Sequence, residues 1–234
     1  MTKDLVGTAL IFDLDGTLVD TAEDLAASMN HALSDMGFDA VAPNEVRHLV
    51  GHGARRMLMR VFEISAQRDA SESELDEALE RFLKYYQENI ADHSRPFEYV
   101  IEMIEGFRAR GAVCAICTNK REAMAIQLMD ALKLDHLFET IVGADTTVAA
   151  KPDPAPVILC LERTGAKKAV FIGDSDTDIK AAMATGLPCA IADFGYGPLE
   201  LPSSRIIEKR HRSLRIFCWL SWPQLHQKIS SACR

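Results

Sequence analysis

Five short apolar runs recur along the chain, at residues 8–12, 113–117, 140–143, 169–173 and 188–192. Each is continuously apolar rather than alternating, which is typical of a strand buried on both faces of a parallel sheet. Between them, apolar residues return every three or four positions, as from Phe97 to a stop at Gly111, and this spacing predicts helices. Strands that alternate with helices predict an α/β fold with a doubly wound, Rossmann-like parallel sheet.

Residues 20–94 interrupt this alternation, because their apolar spacing is helical throughout. Ser71 and Glu74 have the spacing of a capping box at the start of one such helix. The segment is too long for a simple crossover between strands. We therefore expect an α/β catalytic core at residues 1–19 and 95–208, with residues 20–94 inserted after the first strand as a helical cap.

The end of the chain differs in composition from the rest. Residues 209–234 hold six basic and no acidic residues together with both tryptophans, whereas residues 1–208 carry a net charge of −14. This contrast predicts an atypical basic tail that lies outside the catalytic fold. The alternative is a final helix packed at the edge layer of the sheet.

Composition narrows the classes of function. The net charge of −8 argues against a nucleic-acid binder, and no apolar run is long enough to span a membrane. Six scattered cysteines and the absence of a signal pattern favour reduced thiols in a cytoplasmic protein. The sequence leaves the oligomeric state open between monomer and homodimer.

Polar side chains follow the ends of the predicted strands, and parallel strands direct their carboxyl ends to one crevice. One aspartate there can attack an electrophile while another transfers a proton. Clustered carboxylates repel one another, so a hard cation such as Mg²⁺, which takes oxygen ligands beside phosphate, is expected among them. The residues at these strand ends are Asp13, Asp15, Thr118, Asn119, Lys151, Asp174 and Asp178.

These ordered motifs resemble those of haloacid dehalogenase superfamily phosphatases over roughly residues 8–208. Val-Gly-His-Gly-Ala at 50–54 and Thr-Asn-Lys at 118–120 give a closer likeness to the phosphoglycolate phosphatase group. The resemblance implies a Mg²⁺-dependent phosphomonoester hydrolase that acts on a small phosphorylated metabolite, with phosphoglycolate as the first candidate. It also implies an aspartyl-phosphate intermediate.

The resemblance assigns a role to each catalytic residue. Asp13 is implied as the nucleophile, and Asp15 as the group that protonates the leaving oxygen and then deprotonates water. Thr118 and the main chain of Asn119 are implied to hold phosphate oxygens, while Lys151 neutralises the phosphate and the nucleophile.

The resemblance also assigns the metal ligands. Asp13, Asp174 and the main-chain carbonyl of Asp15 are implied to bind Mg²⁺. Asp178 is implied as an indirect metal ligand or as an orienting partner of Lys151.

Three further cations are candidate substrate contacts, namely Arg55, Arg56 and Lys120. A cation at the start of a helix is unfavourable, which hints at a functional use for Lys120. Together they favour a substrate that carries a carboxylate beside its phosphate.

Other activities remain open from the sequence. A sugar-phosphate phosphomutase or a sugar phosphatase of the same superfamily shares the aspartyl-phosphate. A phospho-accepting receiver module shares a strand-end aspartate and Mg²⁺ without being an enzyme. Asp15 and the long cap favour an enzyme that turns over.

Overall fold

The computed structural model describes residues 4–36, 38–66, 68–197, 210–211 and 214–217. The strands are β1 (Thr8–Phe12), β2 (Val19–Asp20), β3 (Arg95–Pro96), β4 (Val113–Cys117), β5 (Thr140–Val142), β6 (Lys168–Gly173), β7 (Cys189–Ala192), β8 (Arg210–His211) and β9 (Leu214–Phe217). The helices are α1 (Ala22–Leu33), α2 (Pro43–Arg47), α3 (Ala54–Ala66), α4 (Glu72–Glu88), α5 (Val100–Ala109), α6 (Glu122–Ala131), α7 (Ala155–Thr164) and α8 (Asp176–Ala184).

The central sheet has the strand order β5-β4-β1-β6-β7-β9-β8, and its first five strands run parallel. These five are the strands that the apolar runs predict, each within one residue of its expected bounds. The predicted α/β fold with a parallel, Rossmann-like sheet is therefore confirmed.

Strand β1 lies in the middle of the parallel part and is buried on both faces. Leu10 and Phe12 belong to an apolar cluster that continues into the helices between β2 and β3. Ala9 and Ile11 belong to a second cluster under α7 and α8. Successive side chains of a strand point to opposite faces, so a strand with helices on both sides must be apolar at every position.

The helices α1 to α4 lie between β2 and β3, which pair with each other as a short antiparallel ribbon. The buried carboxylate of Asp24 in α1 accepts hydrogen bonds from the main-chain nitrogens of His93 and Ser94, just before β3. The chain therefore leaves the sheet and returns to it at one place. The boundaries expected for core and cap stay a prediction.

Part of the stretch that composition sets apart joins the sheet. Strand β9 pairs antiparallel with β7, and β8 pairs with β9. This pairing differs from the expectation that the stretch stands outside the catalytic fold. The physical reason is that a returning chain can extend the open edge of a sheet by pairing antiparallel with its last strand. Residues 209, 212–213 and 218–234, with both tryptophans, lie outside the described residues, so the extent of a basic tail at 209–234 stays a prediction.

Among the helices in the described ranges, none combines the length and the apolar character needed to cross a bilayer.

Candidate active site

The first strand ends at the site, because residues 13–17 follow β1 directly. Asp13 Oδ1 accepts a hydrogen bond from the main-chain nitrogen of Leu14 (2.7 Å), which fixes the carboxylate at the tip of the strand. Gly16 has a φ of 84°, and a Cβ there would lie 2.3 Å from Asp174 Oδ2. Only glycine lets residues 13–17, the first motif, turn this closely past the carboxylate of Asp174.

Lys151 lies between two carboxylates. Its Nζ is 2.9 Å from Asp13 Oδ1 and 2.7 Å from Asp178 Oδ1, and its side chain is 1% exposed. Burial opposes the charged form of Lys151, but the two carboxylates outweigh it and raise the pKa of the amine above its usual range. The amine therefore stays charged beside Asp13.

Asp178, in the first turn of α8, is fully engaged by neighbours. Its Oδ1 accepts from Lys151, and its Oδ2 accepts from Ser175 Oγ (2.6 Å) and from the main-chain nitrogens of Ser175 and Asp174. These contacts favour the orienting role over direct metal binding. Its assignment as a metal ligand stays a prediction.

Asp174, after β6, lies in a close-fitting cradle. Thr17 Oγ1 donates to its Oδ1 (3.0 Å), and the main-chain nitrogen of Tyr196 donates to its Oδ2 (2.8 Å). A Cβ on Gly195 would lie 2.3 Å from the Cβ of Asp174. The carboxylate is thus held by the first motif on one side and by the loop after β7 on the other.

Three buried carboxylates, those of Asp13, Asp174 and Asp178, each offer an oxygen within 4.8 Å of the others. Burial, reinforced by the charge of Asp178, raises the pKa of Asp13 to about 8 and that of Asp174 to about 7. Burial is the main cause of both shifts, and the mutual repulsion of the carboxylates adds to it. This donor set fits a hard divalent cation, so the structure contains residues able to hold a metal ion.

Asp15 is bound on the cap side of the site. Lys120 Nζ lies 2.7 Å from Asp15 Oδ1 and 2.9 Å from Oδ2, and Thr21 Oγ1 donates to Oδ1 (2.7 Å). Lys120 also lies over the ring of Tyr86 in α4, with Nζ 4.8 Å from the ring centroid. Burial lowers the pKa of Lys120, but Asp15 outweighs it, so the pKa lies above its usual range.

A cavity of about 420 Å³ opens above these groups, between the sheet edge and the helices α3 and α4. Arg55 lines it, but its guanidinium pairs with Glu72 and Asp76 of α4. Arg56 lines it too and is exposed, and within the described ranges no ion pair of Arg56 is recorded. The two arginines therefore differ in their freedom to bind a ligand.

The second motif contacts both sides of the cavity. Thr118 is buried after β4 and its Oγ1 accepts from the main-chain nitrogen of Lys120 (3.1 Å). Asn119 Nδ2 donates to the carbonyls of Gly51 in the cap and Lys151 in the core. The cap loop at Gly51 therefore lies directly against Asn119, which in turn contacts the main chain of Lys151.

Eight of the ten site residues expected from sequence line the cavity, and the other two, Asp174 and Asp178, lie beside Asp13. Arg55 lines the cavity with its guanidinium paired to α4. Sequence reasoning missed Thr17, Thr21 and the loop residues Gly195 and Tyr196. The sequence carries only a weak signal for the loop residues. Glycines flank Tyr196 after the last parallel strand, and such glycines can mark a close approach of the main chain.

Comparisons with known proteins agree with this geometry. A phosphoglycolate phosphatase of Mesorhizobium japonicum is 44% identical over 189 residues, covering 80% of this chain and 83% of that protein. A phosphoglycolate phosphatase of Caulobacter vibrioides is 39% identical, with 82% of each chain covered. The crystal structure of a predicted phosphoglycolate phosphatase from Haemophilus somnus superposes with a TM-score of 0.76 at 33% identity, covering 86% of this chain and 90% of that one.

The relatives confirm the enzyme class expected from sequence, a phosphatase with a small phosphorylated substrate. The profile of the haloacid dehalogenase-like hydrolases matches residues 10–192. Because that match spans most of the chain and includes every strand-end motif, this protein belongs to the haloacid dehalogenase-like hydrolase family.

Proposed function

We propose that this phosphatase hydrolyses phosphoglycolate in a Mg²⁺-dependent reaction through an aspartyl-phosphate at Asp13. The observation that carries the proposal is the buried group of Asp13, Asp174 and Lys151, of which Asp13 and Lys151 line the cavity. The names of the relatives supply the candidate substrate. A cytoplasmic location and the oligomeric state stay predictions from the sequence.

In the first half of the proposed reaction, an Asp13 oxygen attacks phosphorus and the ester P–O bond breaks. The leaving oxygen takes a proton from Asp15, which Thr21 and Lys120 hold near the cavity. Lys151 compensates the charge that gathers on the phosphoryl oxygens, and Thr118 donates to one of them. Phosphoryl transfer depends mainly on such positioning and charge compensation.

In the second half, a water molecule attacks the phosphorus of the aspartyl-phosphate. Asp15 accepts the proton of that water, the acyl-phosphate bond breaks, and inorganic phosphate leaves Asp13 as a carboxylate. Asp15 is thus returned to its starting protonation state, and one residue serves as acid and then as base.

Asp13, Asp174 and the main-chain carbonyl of Asp15 are the proposed ligands of Mg²⁺. When bound, Mg²⁺ would neutralise phosphate charge and align the phosphoryl group with the nucleophile. The close grouping of buried carboxylates supports this proposal, because a divalent cation would offset their mutual repulsion.

Arg56 is the proposed contact for the carboxylate of the substrate. Arg55 already pairs with Glu72 and Asp76, so a substrate carboxylate would have to compete with two protein carboxylates for it. Arg56 lies on the same wall of the cavity and is exposed. The guanidinium can bind a carboxylate through two parallel N–H groups.

The test of the reaction compares kcat/KM for phosphoglycolate with values for hexose phosphates, with and without Mg²⁺. We expect phosphoglycolate to lead by at least tenfold and chelation to remove the activity. A hexose phosphate that leads by tenfold would favour a sugar phosphatase, and an isomerised sugar phosphate as product would favour a mutase. Full activity after exhaustive chelation would contradict the role of the metal.

The test of the carboxylate contact uses the two neighbouring arginines as a matched pair. A charge-assisted hydrogen bond contributes about 1.5–3 kcal/mol, so Arg56→Ala should raise KM for phosphoglycolate by roughly 10- to 100-fold. It should change KM for ethyl phosphate, which has no carboxylate, by less than about twofold. Arg55→Ala should mainly lower the melting temperature. If Arg56→Ala leaves both KM values unchanged, the contact is wrong.

A further inference from the structure

Four motifs follow the strand ends: the first at residues 13–17, the second at 118–120, the third at 151–152 and the fourth at 174–178. Tyr196 lies outside them, in the loop that follows β7, and it is 4% exposed. Its hydroxyl accepts hydrogen bonds from the main-chain nitrogens of Thr21 (2.6 Å) and Ala22 (3.1 Å). It donates to Asp20 Oδ1 (2.7 Å). A side chain of the core thus holds the three residues through which the chain enters the cap.

The start of α1 is held by this hydroxyl of the core and not by a side-chain N-cap of its own. Thr21 occupies the N-cap position, where a threonine hydroxyl normally accepts from the first main-chain nitrogens of its own helix. Here Thr21 makes no side-chain cap, and its Oγ1 donates to Asp15 Oδ1. The Tyr196 hydroxyl accepts from the main-chain nitrogens of Thr21 and of Ala22, the first residue of the helix, so it holds the main chain of the residue whose side chain contacts Asp15.

The other end of Tyr196 contacts the carboxylate cluster. Its main-chain nitrogen donates to Asp174 Oδ2, and its ring packs so closely on Gly16 that a Cβ there would lie 2.9 Å from Cδ2. Arg47 of the cap covers the ring, with the guanidinium carbon 5.1 Å from its centroid. One residue thus contacts the first motif, the fourth motif and the cap.

We infer that Tyr196 is a positioning residue that fixes Asp15 relative to Asp174 by way of the Thr21 hydroxyl. The inference rests on the proposed function, in which Asp15 protonates the leaving oxygen. The hydroxyl of Tyr196 holds the start of α1, and Thr21 there binds the Asp15 carboxylate together with Lys120. The main-chain nitrogen of Tyr196 donates to Asp174. Loss of the hydroxyl should therefore impair proton transfer to the leaving oxygen and spare the metal-binding carboxylates.

The test is Tyr196→Phe, which removes the hydroxyl and keeps both the ring and the main-chain nitrogen. A misplaced general acid matters most when the leaving group is a poor one, so kcat for phosphoglycolate should fall by about tenfold or more. For p-nitrophenyl phosphate, whose leaving group needs little protonation, kcat should fall by less than about threefold. The Mg²⁺ concentration for half-maximal activity should not change.

Two further variants test whether Tyr196 acts on Asp15 through Thr21. Tyr85→Phe removes a hydroxyl from a cap tyrosine that stacks on His31 away from the site, and it should change neither ester. Thr21→Val removes the contact with Asp15 and should reproduce the leaving-group effect. The double variant Tyr196→Phe/Thr21→Val should lose little more than either single variant, because both act on one contact.

The outcomes separate this inference from the proposed function. Equal losses for both esters, or losses that multiply in the double variant, would overturn the role of Tyr196. If the wild-type protein fails to hydrolyse phosphoglycolate, the proposed function fails, and the comparison is made with ethyl phosphate as the poor leaving group. If Tyr196→Phe does not fold, Thr21→Val applies the same leaving-group test to the same contact.

Discussion

Gly195 lies where the loop after β7 passes Asp174, and replacing it by alanine should displace that carboxylate. The new Cβ would lie 2.3 Å from Asp174 Cβ and 2.6 Å from the main-chain oxygen of Gly16. Carbon atoms in ordinary contact are about 3.5–4.0 Å apart, so the neighbours must give way by more than about 1 Å. Rotation of the side chain does not move Asp174 Cβ, so the main chain at Gly195 or Asp174 must shift, and the Asp174 carboxylate shifts with it.

The size of the effect follows from that displacement. A misplacement of about 1 Å at an active site can cost about 100-fold in rate, and overpacking a buried position costs about 1–3 kcal/mol of stability. We therefore expect Gly195→Ala to fold, to lose about 100-fold in kcat/KM, and to need at least about tenfold more Mg²⁺ for half-maximal activity. Initial rates over a Mg²⁺ titration and thermal unfolding measure these three quantities.

Gly106→Ala provides the matched control. A Cβ at Gly106, inside α5, meets no atom within 4 Å, so alanine should raise the free energy of unfolding by about 0.5–1 kcal/mol and leave the Mg²⁺ requirement unchanged. The reasoning fails if Gly195→Ala keeps a Mg²⁺ requirement within about twofold of the wild-type value while the protein remains folded.

Three other predictions concern the site and the cap. Asp13→Asn should abolish turnover in a folded protein, because an amide forms no acyl-phosphate. A variant that kept about a tenth of the activity would reject Asp13 as the nucleophile, since a tenfold loss raises the activation free energy by only about 1.4 kcal/mol. Without metal, the raised pKa values of Asp13 and Asp174 mean that the folded protein holds protons that the unfolded chain releases. Their contribution to stability should therefore fall as pH rises from about 4 to about 8, and the increase in melting temperature on adding Mg²⁺ should be larger at pH 8 than at pH 6; equal increases would contradict this. Ser71→Ala removes the N-cap of α4 and should lower the free energy of unfolding by about 1 kcal/mol in a denaturant titration, whereas no change would show that the capping box is dispensable.

The strands were predictable because burial on both faces makes each of them a continuous apolar run. The starts of helices were less so, as α5 illustrates. Its apolar spacing begins at Phe97, yet the helix begins at Val100. The main-chain nitrogen of Phe97 donates to the Leu18 carbonyl beside the β2–β3 ribbon, and Tyr99 adopts a φ of 64° before the helix. Both are tertiary features with no periodic signature in the sequence.

Most motifs at the strand ends were predictable for a similar reason, since they directly follow their strands, whereas Lys151 lies nine residues after β5. Arg55 was not, because its pairing with Glu72 and Asp76 arises only when α3 packs on α4. Tyr196 was not either, because its contact with Asp174 depends on how the chain after β7 folds back over the first motif. Such contacts depend on the path of a loop rather than on a local pattern.

Strands β2 and β3 pair where the chain leaves the core for the inserted helices and where it returns. Val19 lies opposite Pro96, and Asp20 lies opposite Arg95. Antiparallel partners are only about 4.5–5.5 Å apart, a gap that a tight two-residue turn can close. The segment between them can therefore be exchanged, in evolution or by engineering, without a change in the strand order of the sheet. An exchange of this kind would change the residues that α3 and α4 contribute to the cavity and leave Asp13 at the end of β1 in place.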